Sequence, residues 1–337
     1  MLVKMARDYS RVLVTGGAGF IGSHLVDRLL KEGFEVTVID NLDTGRLENI
    51  DRHQDRGEFH FVKGDIRDFK LIKETIKDVD AVFHEAALAS VTLSVKNPIL
   101  TNDINVTGTL NLLKASSDLH VKRLIYASSA AVYGDAPSPQ KREEMTPNPT
   151  SPYGVSKLAA ENYVKLFHKV YGLETVSLRY FNVYGPRQRF DIQSAYGGAI
   201  TIFTNRLLKN MPPIIYGDGE QKRDFVYIQD VIEANMLALN SKKAVGEVFN
   251  IGTGTNATVN QVANTLQEIL NIKNLKPIHT SPRPTDIRHG YADISKAKKI
   301  LGYNPKFFIK EGLTELVNWY TENKHSHDEG QPLRKKR

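Results

Sequence analysis

The chain has 337 residues, of which 41% are hydrophobic, and it contains no cysteine. This length and composition predict a globular protein with a sizeable core, and they exclude disulfide bonds, thiolate metal sites and cysteine nucleophiles. The formal net charge is +7, but residues 334–337 alone carry four positive charges. Because such a basic tail is usually solvated, we expect no nucleic-acid partner. His325 and His327 lie in the same polar tail, so we expect no metal site there.

No stretch of the sequence is long and apolar enough to cross a bilayer, and residues 1–10 are charged and lack the apolar block of a signal peptide. We therefore predict a cytoplasmic protein with no membrane partner. The two ends, residues 1–9 and 323–337, are predicted to be flexible tails.

A strand, a glycine-rich turn and a helix follow one another near the start of the chain. The β-branched run 11–15 leads into Gly16, Gly19 and Gly22, and an apolar stripe of helical period follows. Such glycines allow the backbone to approach a pyrophosphate at a helix N-terminus. The next strand, 35–39, ends in Asp40, where a carboxylate can accept hydrogen bonds from a ribose. This acid favours NAD over NADP, although Arg46 leaves NADP open.

The alternation of strands and helices continues along the chain. Strands are predicted at 59–62, 81–83, 124–127, 175–182 and 247–251, and helices at about 70–77 and 98–117. Several strands end in polar or small residues, which in a doubly wound parallel sheet lie at the ligand-binding edge. We expect Asp65 to contact an adenine, Ala86 and Ala87 to allow close backbone approach, and His84 to be a hydrogen-bonded strand-end residue.

A phenol and an ammonium lie four residues apart after a proline-rich loop. Pro152 and the apolar residues that follow predict a helix, on which Tyr153 and Lys157 share one face. A cation beside a phenol favours the phenolate and makes it a usable base near neutral pH. Taken alone, the spacing is equally compatible with a solvated helix face.

Residues 11–320 resemble the extended short-chain dehydrogenase/reductase family, and within it the UDP-glucose and UDP-N-acetylglucosamine 4-epimerases. The resemblance is carried by eight motifs in order, namely 15–22, 40–41, 64–65, 128–134, 153–157, 179–186, 223–225 and 283–286. It implies an α/β fold, with a Rossmann-type doubly wound parallel sheet and a smaller mixed α/β substrate lobe. The NAD-binding domain is expected at 10–183 with about 225–255, and the UDP-sugar lobe at 184–224 and 256–322. A homodimer formed through two long helices is also expected.

The resemblance also implies roles for individual residues. Tyr153 is expected to be the general base, Lys157 to bind the nicotinamide ribose and lower the phenol pKa, and Ser129 to bind the reacting hydroxyl. The expected NAD contacts are Gly16, Gly19, Phe20, Ile21, Gly22, Asp40, Asn41, Asp65, Ile66, Ala86, Ala87, Ser128, Tyr153, Lys157, Tyr180 and Val183. The expected UDP-sugar contacts are Ser129, Tyr153, Asn182, Arg223, Arg283, Asp286 and Gly290.

The residues after Ser129 bear on the reaction. The resemblance implies that nucleotide-sugar dehydratases of this family have an Asp-Glu pair at the two positions after the serine. This chain has Ala130 and Ala131 at those positions. Neither alanine can transfer a proton, so the sequence favours 4-epimerisation through a 4-keto sugar. Gly290 leaves room for an N-acetyl group, or is only a loop glycine. The alternatives are a UDP-glucuronate 4-epimerase, a net oxidoreductase of the same fold, and a catalytically silent NAD-binding or RNA-associated protein.

Overall fold

The computed structural model describes residues 9–134, 138–189, 198–282 and 289–322. Strands and helices alternate through the first half of the chain. The strands are β1 (Arg11–Thr15), β2 (Glu35–Asp40), β3 (Phe59–Lys63), β4 (Ala81–His84), β5 (Arg123–Ser129), β6 (Gln140–Lys141), β7 (Glu174–Tyr180), β8 (Asn182–Tyr184), β9 (Ile214–Tyr216), β10 (Lys222–Arg223), β11 (Phe225–Tyr227), β12 (Val248–Ile251), β13 (Ala257–Thr258), β14 (Ile278–Thr280) and β15 (His289–Ala292). The helices are α1 (Phe20–Lys31), α2 (Phe69–Thr75), α3 (Val91–Lys96), α4 (Pro98–Asn102), α5 (Gly108–Asp118), α6 (Pro152–Tyr171), α7 (Ala199–Leu208), α8 (Ile228–Asn240), α9 (Val259–Ile269), α10 (Ser295–Leu301) and α11 (Ile309–Glu322).

Seven strands form one parallel sheet in the order β3-β2-β1-β4-β5-β7-β12. The order runs outward from β1 in one direction and from β4 in the other, so the chain changes direction between these two strands. That change of direction defines a doubly wound sheet and places a crevice at the carboxyl ends of the strands. The predicted Rossmann-type fold is therefore confirmed.

Both faces of the sheet are covered, which explains the continuous apolar runs in the sequence. Successive side chains of a strand point to opposite faces. Accordingly, Val12 and Val14 of β1 pack into the core on one face, and Leu13 packs into the core on the other. Buried parallel strands read as unbroken apolar segments for this reason.

The predicted strands agree with the structure except near residue 181. Strands occur at 11–15, 35–40, 59–63, 81–84 and 123–129, and β12 pairs with β7 as a further strand of the same sheet. The predicted strand 175–182 is divided, because β7 ends at Tyr180. The following β8 leaves the large sheet and pairs in parallel with β11.

The predicted helices differ from the structure in three details. The segment 98–117 is one rod in which a π-helical turn, Asp103–Thr107, joins α4 to α5. Helix α2 ends at Thr75, two residues early, and Asp78 then adopts a positive φ of 65°. Helix α3, which Ser90 caps, was not predicted, because its six residues are too few to show a helical period. Within the described ranges, each helix is too short or too polar to cross a lipid bilayer.

A second, four-stranded sheet in the order β13-β10-β15-β6 lies beside the first. Asp224, which directly follows β10, holds this sheet to the end of β12. Its buried carboxylate accepts hydrogen bonds from the backbone amides of Thr253, Gly254 and Ala292 and from the Thr253 hydroxyl, at 2.7–3.1 Å. Strand β6 belongs to the stretch predicted for the NAD domain, yet it pairs with β15.

Residue 9 was predicted to lie in a flexible tail. Tyr9 is instead buried, with the Arg123 guanidinium 5.6 Å from its ring centroid. The remainder of the two predicted tails, 1–8 and 323–337, falls outside the described residues.

Candidate active site

A cleft of about 380 Å³ opens where the strands of the large sheet end. It is lined by the glycine-rich turn after β1, by the end of β2, and by the residues that follow β4, β5 and β7. Apart from Lys157, all the residues predicted to contact NAD line this cleft. Their contacts with the cofactor stay a prediction.

The glycine-rich turn leaves no space for side chains. A Cβ atom on Gly22 would lie 2.2 Å from the Gly16 carbonyl oxygen, and one on Gly16 would lie 2.8 Å from the backbone of Ala86. Gly16 also adopts a positive φ of 68°. Helix α1 begins directly after Gly19, so the amide groups of its first turn face the cleft without an intrahelical acceptor. This arrangement fits the pyrophosphate of a dinucleotide.

Asp40 joins the end of β2 to the glycine-rich turn. Its carboxylate accepts hydrogen bonds from the backbone amides of Ala18, at 3.0 Å, and Leu42, at 2.8 Å. Burial raises the pKa of Asp40, and both amide hydrogen bonds oppose that rise. Because a carboxylate has about four lone-pair sites, capacity is left for ribose hydroxyls.

Asp65 lies near Asp40 and is held by a residue that the sequence analysis did not single out. Arg67 donates to both carboxylate oxygens, at 3.0 and 2.8 Å, and Asn41 donates at 3.1 Å. The hydrogen bonds from Arg67 are the main reason that the pKa of Asp65 falls to about 2. Asp65 is therefore a fixed anionic acceptor at the end predicted for adenine.

Tyr153 and Ser129 meet at the opposite end of the cleft. The Ser151 hydroxyl caps α6 by accepting from the Gly154 amide at 3.1 Å, and Pro152 occupies the first turn. Gly154 allows the helix to approach the turn after β5, because a Cβ atom there would lie 2.7 Å from the Ala131 carbonyl oxygen. Burial raises the pKa of Tyr153, and its hydrogen bond with Ser129 opposes that rise.

Lys157 lies beneath this pair rather than in the wall of the cleft. It is buried, and its Nζ donates to the Ala127 carbonyl oxygen at 2.8 Å and lies 5.0 Å from the Tyr126 ring centroid. Burial lowers the pKa of Lys157 to about 8, and Glu85 opposes this. That Lys157 lowers the Tyr153 pKa stays a prediction; the Ser129 hydroxyl opposes the rise that burial causes.

A buried ion pair behind Ser129 was missed in the sequence. Glu161 of α6 accepts two hydrogen bonds from Arg179 of β7, at 3.0 and 2.6 Å, and a third from Ser128 at 2.6 Å. Both charged side chains are almost fully buried. Glu161 follows Lys157 by four residues, just as Lys157 follows Tyr153. This repeat on one helix face is the sequence signal that could have indicated Glu161.

Glu85 also escaped the sequence analysis, although it directly follows His84. It lines the cleft and accepts a hydrogen bond from the Tyr180 hydroxyl at 2.9 Å. His84 itself is buried between the hydroxyls of Thr15 and Thr109, at 2.8 and 2.9 Å, as predicted for a packed strand-end residue. Arg187, another unpredicted lining residue, binds Ser23 and Asp27 of α1.

The predicted sugar contacts are only partly described. Asn182 is exposed and donates to the Asp224 carbonyl oxygen at 2.8 Å, outside the wall of the cleft. Arg223 and Gly290 are register partners in the second sheet, and among the described residues, apart from its chain neighbours, no atom lies within 4 Å of a Cβ atom built on Gly290. Arg283 and Asp286 lie outside the described residues.

The glycine-rich turn, Asp40 and the Ser129–Tyr153 pair define a dinucleotide-binding enzyme of Rossmann fold. A family model described as GDP-mannose 4,6 dehydratase matches residues 13–316. The chain belongs to this family, a part of the extended short-chain dehydrogenases/reductases that holds NAD-dependent sugar-nucleotide epimerases and dehydratases.

Two curated relatives are similar over nearly their whole length. A Methanocaldococcus jannaschii protein with a provisional name as a UDP-glucose 4-epimerase is 43% identical, over 93% of this chain and 99% of the relative. A UDP-glucuronate 4-epimerase of Thermodesulfobacterium geofontis is 37% identical, over 92% of this chain and 96% of the relative.

Solved structures of three relatives have the same fold. UDP-glucose 4-epimerase of Thermotoga maritima, with UDP-glucose, has a TM-score of 0.88 at 40% identity, covering 93% of this chain and 99% of that one. UDP-N-acetylglucosamine 4-epimerase of Methanobrevibacter ruminantium, with UDP-N-acetylmuramic acid, has a TM-score of 0.88 at 39% identity, covering 94% of this chain and 100% of that one. UDP-glucose 4-epimerase of Thermus thermophilus, with NAD, has a TM-score of 0.83 at 39% identity, covering 92% of this chain and 99% of that one. The predicted cofactor, NAD, is thereby confirmed for the family.

Replacing Gly22 by alanine is expected to reduce the NAD that copurifies with the protein by about tenfold or more, since the added methyl collides with the Gly16 carbonyl oxygen. Chromatography of the cofactor released on denaturation measures this, with circular dichroism to monitor folding. Gly57→Ala is the control, because nothing lies within 4 Å of a Cβ atom at this exposed position. Equal NAD contents in the two variants would contradict the proposed role of the turn.

Proposed function

We propose that this protein is an NAD-dependent 4-epimerase that interconverts UDP-glucose and UDP-galactose, and also UDP-N-acetylglucosamine and UDP-N-acetylgalactosamine. The observation that carries the proposal is that Ser129 and Tyr153 line the same end of the cleft, next to the two alanines at 130 and 131. A hydroxyl pair that is followed by two alanines, rather than by an acid and a base, suits the oxidation and reduction of an alcohol.

Tyr153 removes the proton from the sugar 4-hydroxyl and later returns it. Ser129 assists because its hydrogen bond lowers the pKa of the phenol, which burial otherwise raises. Lys157 adds positive charge beneath the phenol. When bound, NAD accepts the hydride from C4 and gives it back to the other face of the 4-keto sugar. Proton and hydride both return to the sugar, so a turnover consumes no oxidant.

The turn after Ser129 argues against dehydration. Ala130 and Ala131 begin a 3-10 turn in which the Ser129 hydroxyl accepts from the Ala131 amide at 3.1 Å. Loss of water from a 4-keto sugar requires one group to protonate the leaving hydroxyl and another to remove the C5 proton. The methyl groups at these two positions can do neither.

The second sheet is proposed to hold the nucleotide sugar. Arg223 and Gly290 are neighbours across β10 and β15, and a planar guanidinium is suited to a diphosphate. Asn182, Arg283 and Asp286 are proposed as further contacts. The corresponding domain division is residues 10–183 with about 225–255 for NAD, and 184–224 with 256–322 for the UDP-sugar.

A UDP-glucuronate 4-epimerase is the second candidate. The supporting observation is the Thermodesulfobacterium geofontis relative, which has that name and is 37% identical. The two activities share the oxidation at C4 and differ in the group on C5, so the same incubation with different UDP-sugars separates them.

We propose a homodimer formed through α6 and its neighbours. Helices α3 and α4 pack on α6, and all three leave apolar side chains in solvent. Val170 on α6 is 62% exposed, and Ile99 on α4 is 85% exposed. The other exposed apolar residues of this face are Val91, Val95, Leu100, Val155, Tyr163, Leu166 and Tyr171. A contiguous apolar face of this kind typically marks a protein interface.

The purified protein, incubated with UDP-glucose and no added NAD, is expected to form UDP-galactose, which chromatography resolves. Tyr153→Phe is expected to lower kcat by about 10²- to 10⁴-fold, because the general base is lost. Tyr163→Phe changes an exposed tyrosine of the same helix and is the control. Full activity of Tyr153→Phe would refute the assignment of the base, whereas accumulation of NADH would indicate an oxidoreductase.

Gly290→Leu is expected to slow turnover of UDP-N-acetylglucosamine by about 10- to 100-fold while largely sparing UDP-glucose, because the larger side chain occupies the space for the N-acetyl group. Within the described part of the chain, a Cβ atom at Gly290 meets no neighbour within 4 Å. Gly290→Ala is the conservative control. Equal effects on both sugars, or a wild-type enzyme inactive on N-acetyl sugars, would show that this position does not select the substrate.

Val170→Asp is expected to convert the dimer into monomers, since it places a charge in the proposed interface. Sedimentation velocity at several protein concentrations measures the change. Ile278→Asp, at a 48% exposed position in the second lobe, is the control and should leave the mass unchanged. A wild-type protein that sediments as a monomer rules out this dimer.

A further inference from the structure

Glu85 is a half-buried, ionisable residue of the cleft that the proposed mechanism does not use. It directly follows β4, and its neighbours in the cleft wall include Ala86, Tyr180 and the reactive pair Ser129 and Tyr153. Two other carboxylates of the cleft wall, Asp40 and Asp65, lie at the end predicted for the adenosine. Glu85 thus supplies a carboxyl group to the catalytic end of the cleft.

A chain of hydrogen bonds holds the Glu85 carboxylate in place. The Asn235 amide nitrogen donates to the Tyr180 hydroxyl oxygen at 2.8 Å and to the Val231 carbonyl oxygen at 2.9 Å. The Tyr180 hydroxyl has two acceptors within reach, Glu85 at 2.9 Å and the Asn235 side-chain oxygen at 3.1 Å, and the contact with Glu85 is the shorter. Glu85 is the acceptor at the end of this chain, the role that suits a carboxylate.

The groups that act on Glu85 place its titration near neutral pH. Burial raises the pKa of Glu85 to about 7, while the hydrogen bond from Tyr180 on β7 and the charge of Lys157 on α6 oppose this. On its own strand, His84 has a pKa lowered to about 3 by burial and is neutral. Asn235 on α8 does not ionise. The carboxyl group is therefore largely neutral in mild acid and charged in mild base.

We propose that the Glu85 carboxylate makes the cleft prefer the oxidised, positively charged form of the nicotinamide cofactor over the reduced, neutral form. The inference rests on the proposed function, in which the nicotinamide lies at the end of the cleft that holds Tyr153. A carboxylate in a buried site stabilises a nearby cation more than a neutral group. Lys157 has the opposite influence, so the two residues together set the balance.

This preference has a use in an epimerase. The hydride taken from C4 reduces the cofactor while the sugar alcohol becomes a ketone, and the same hydride must return to complete the cycle. A cleft that disfavours the reduced form drives the hydride back to the ketone, so fewer enzyme molecules are left in the reduced state after a ketone escapes. No other oxidant is involved.

Glu85→Gln tests the charge, because glutamine keeps an acceptor oxygen for Tyr180. Wild type and variant are equilibrated with fixed mixtures of NAD and NADH at about pH 8 and about pH 5.5. The bound cofactor is then released and its two forms are quantified. At the higher pH, the ratio of bound NAD to bound NADH is expected to be about tenfold lower in the variant. At the lower pH, where wild-type Glu85 is mostly protonated, the difference should largely disappear.

Glu143→Gln is the matched control and should behave as wild type at both pH values. Burial also raises the pKa of Glu143, but it accepts from the Asn250 amide and lies outside the wall of the cleft. Equal ratios in wild type and Glu85→Gln, a shift that is the same at both pH values, or a shift in Glu143→Gln would each overturn the proposal.

Tyr180→Phe provides a second test if Glu85→Gln does not fold. It removes the hydrogen bond that lowers the pKa of Glu85, so the midpoint of the pH dependence should move upward; an unchanged midpoint would contradict the proposal. The ratio measurement needs no sugar substrate. A wild-type protein that shows the pH-dependent preference but no sugar interconversion would refute the proposed epimerase activity and leave this inference standing.

Discussion

The ion pair between Glu161 and Arg179 is the buried interaction on which the position of the reactive residues depends. It joins α6 to β7, and through Ser128 it reaches β5. Tyr153, Lys157 and Glu161 repeat every four residues on one face of α6; Tyr153 lies in the cleft wall, whereas Lys157 and Glu161 are both buried. Desolvating a buried ion pair is costly, and the attraction between the charges offsets that cost only when the geometry is good. The pair therefore tolerates little displacement. Helix α6, which carries Tyr153, is thereby fixed in rotation as well as in position.

The same pair is connected to the second sheet. The Arg179 guanidinium lies 4.7 Å from the Tyr133 ring centroid, and the Tyr133 hydroxyl donates to Asn250 at 2.6 Å. Asn250 in turn donates to the carbonyl oxygens of Lys141 and Asp293, at 2.9 and 3.2 Å. These two carbonyls belong to β6 and to the residue after β15, so the network connects the catalytic helix to the sheet that carries Arg223 and Gly290. The two halves of the proposed site are therefore positioned by one set of buried polar contacts.

What the sequence could predict were features with a local signal. The parallel sheet, the glycine-rich turn, Asp40 and the helix of Tyr153 each follow from periodicity, from caps or from motifs with fixed spacing. Arg67, Glu85 and Arg179 act through partners that only the fold brings close, and no local pattern marks such pairs. The lysine shows this limit most clearly. The spacing placed Lys157 on the same helix face as Tyr153. The direction of its ammonium is determined by the backbone carbonyl of Ala127, which lies on strand β5.

The construction of the cleft explains how relatives named as epimerases and as dehydratases share one fold. The cofactor end is built from backbone, since Gly16 and Gly22 can carry no side chain and the Ala86 backbone packs against the turn. At the other end, the turn at 130–132 is held by the Ser129 hydroxyl, by backbone hydrogen bonds and by the buried side chain of Val132. The side chains at 130 and 131 are methyl groups at partly buried positions. An acid and a base introduced there would add proton transfer without moving Ser129, so the reaction is set by side chains that the fold does not need.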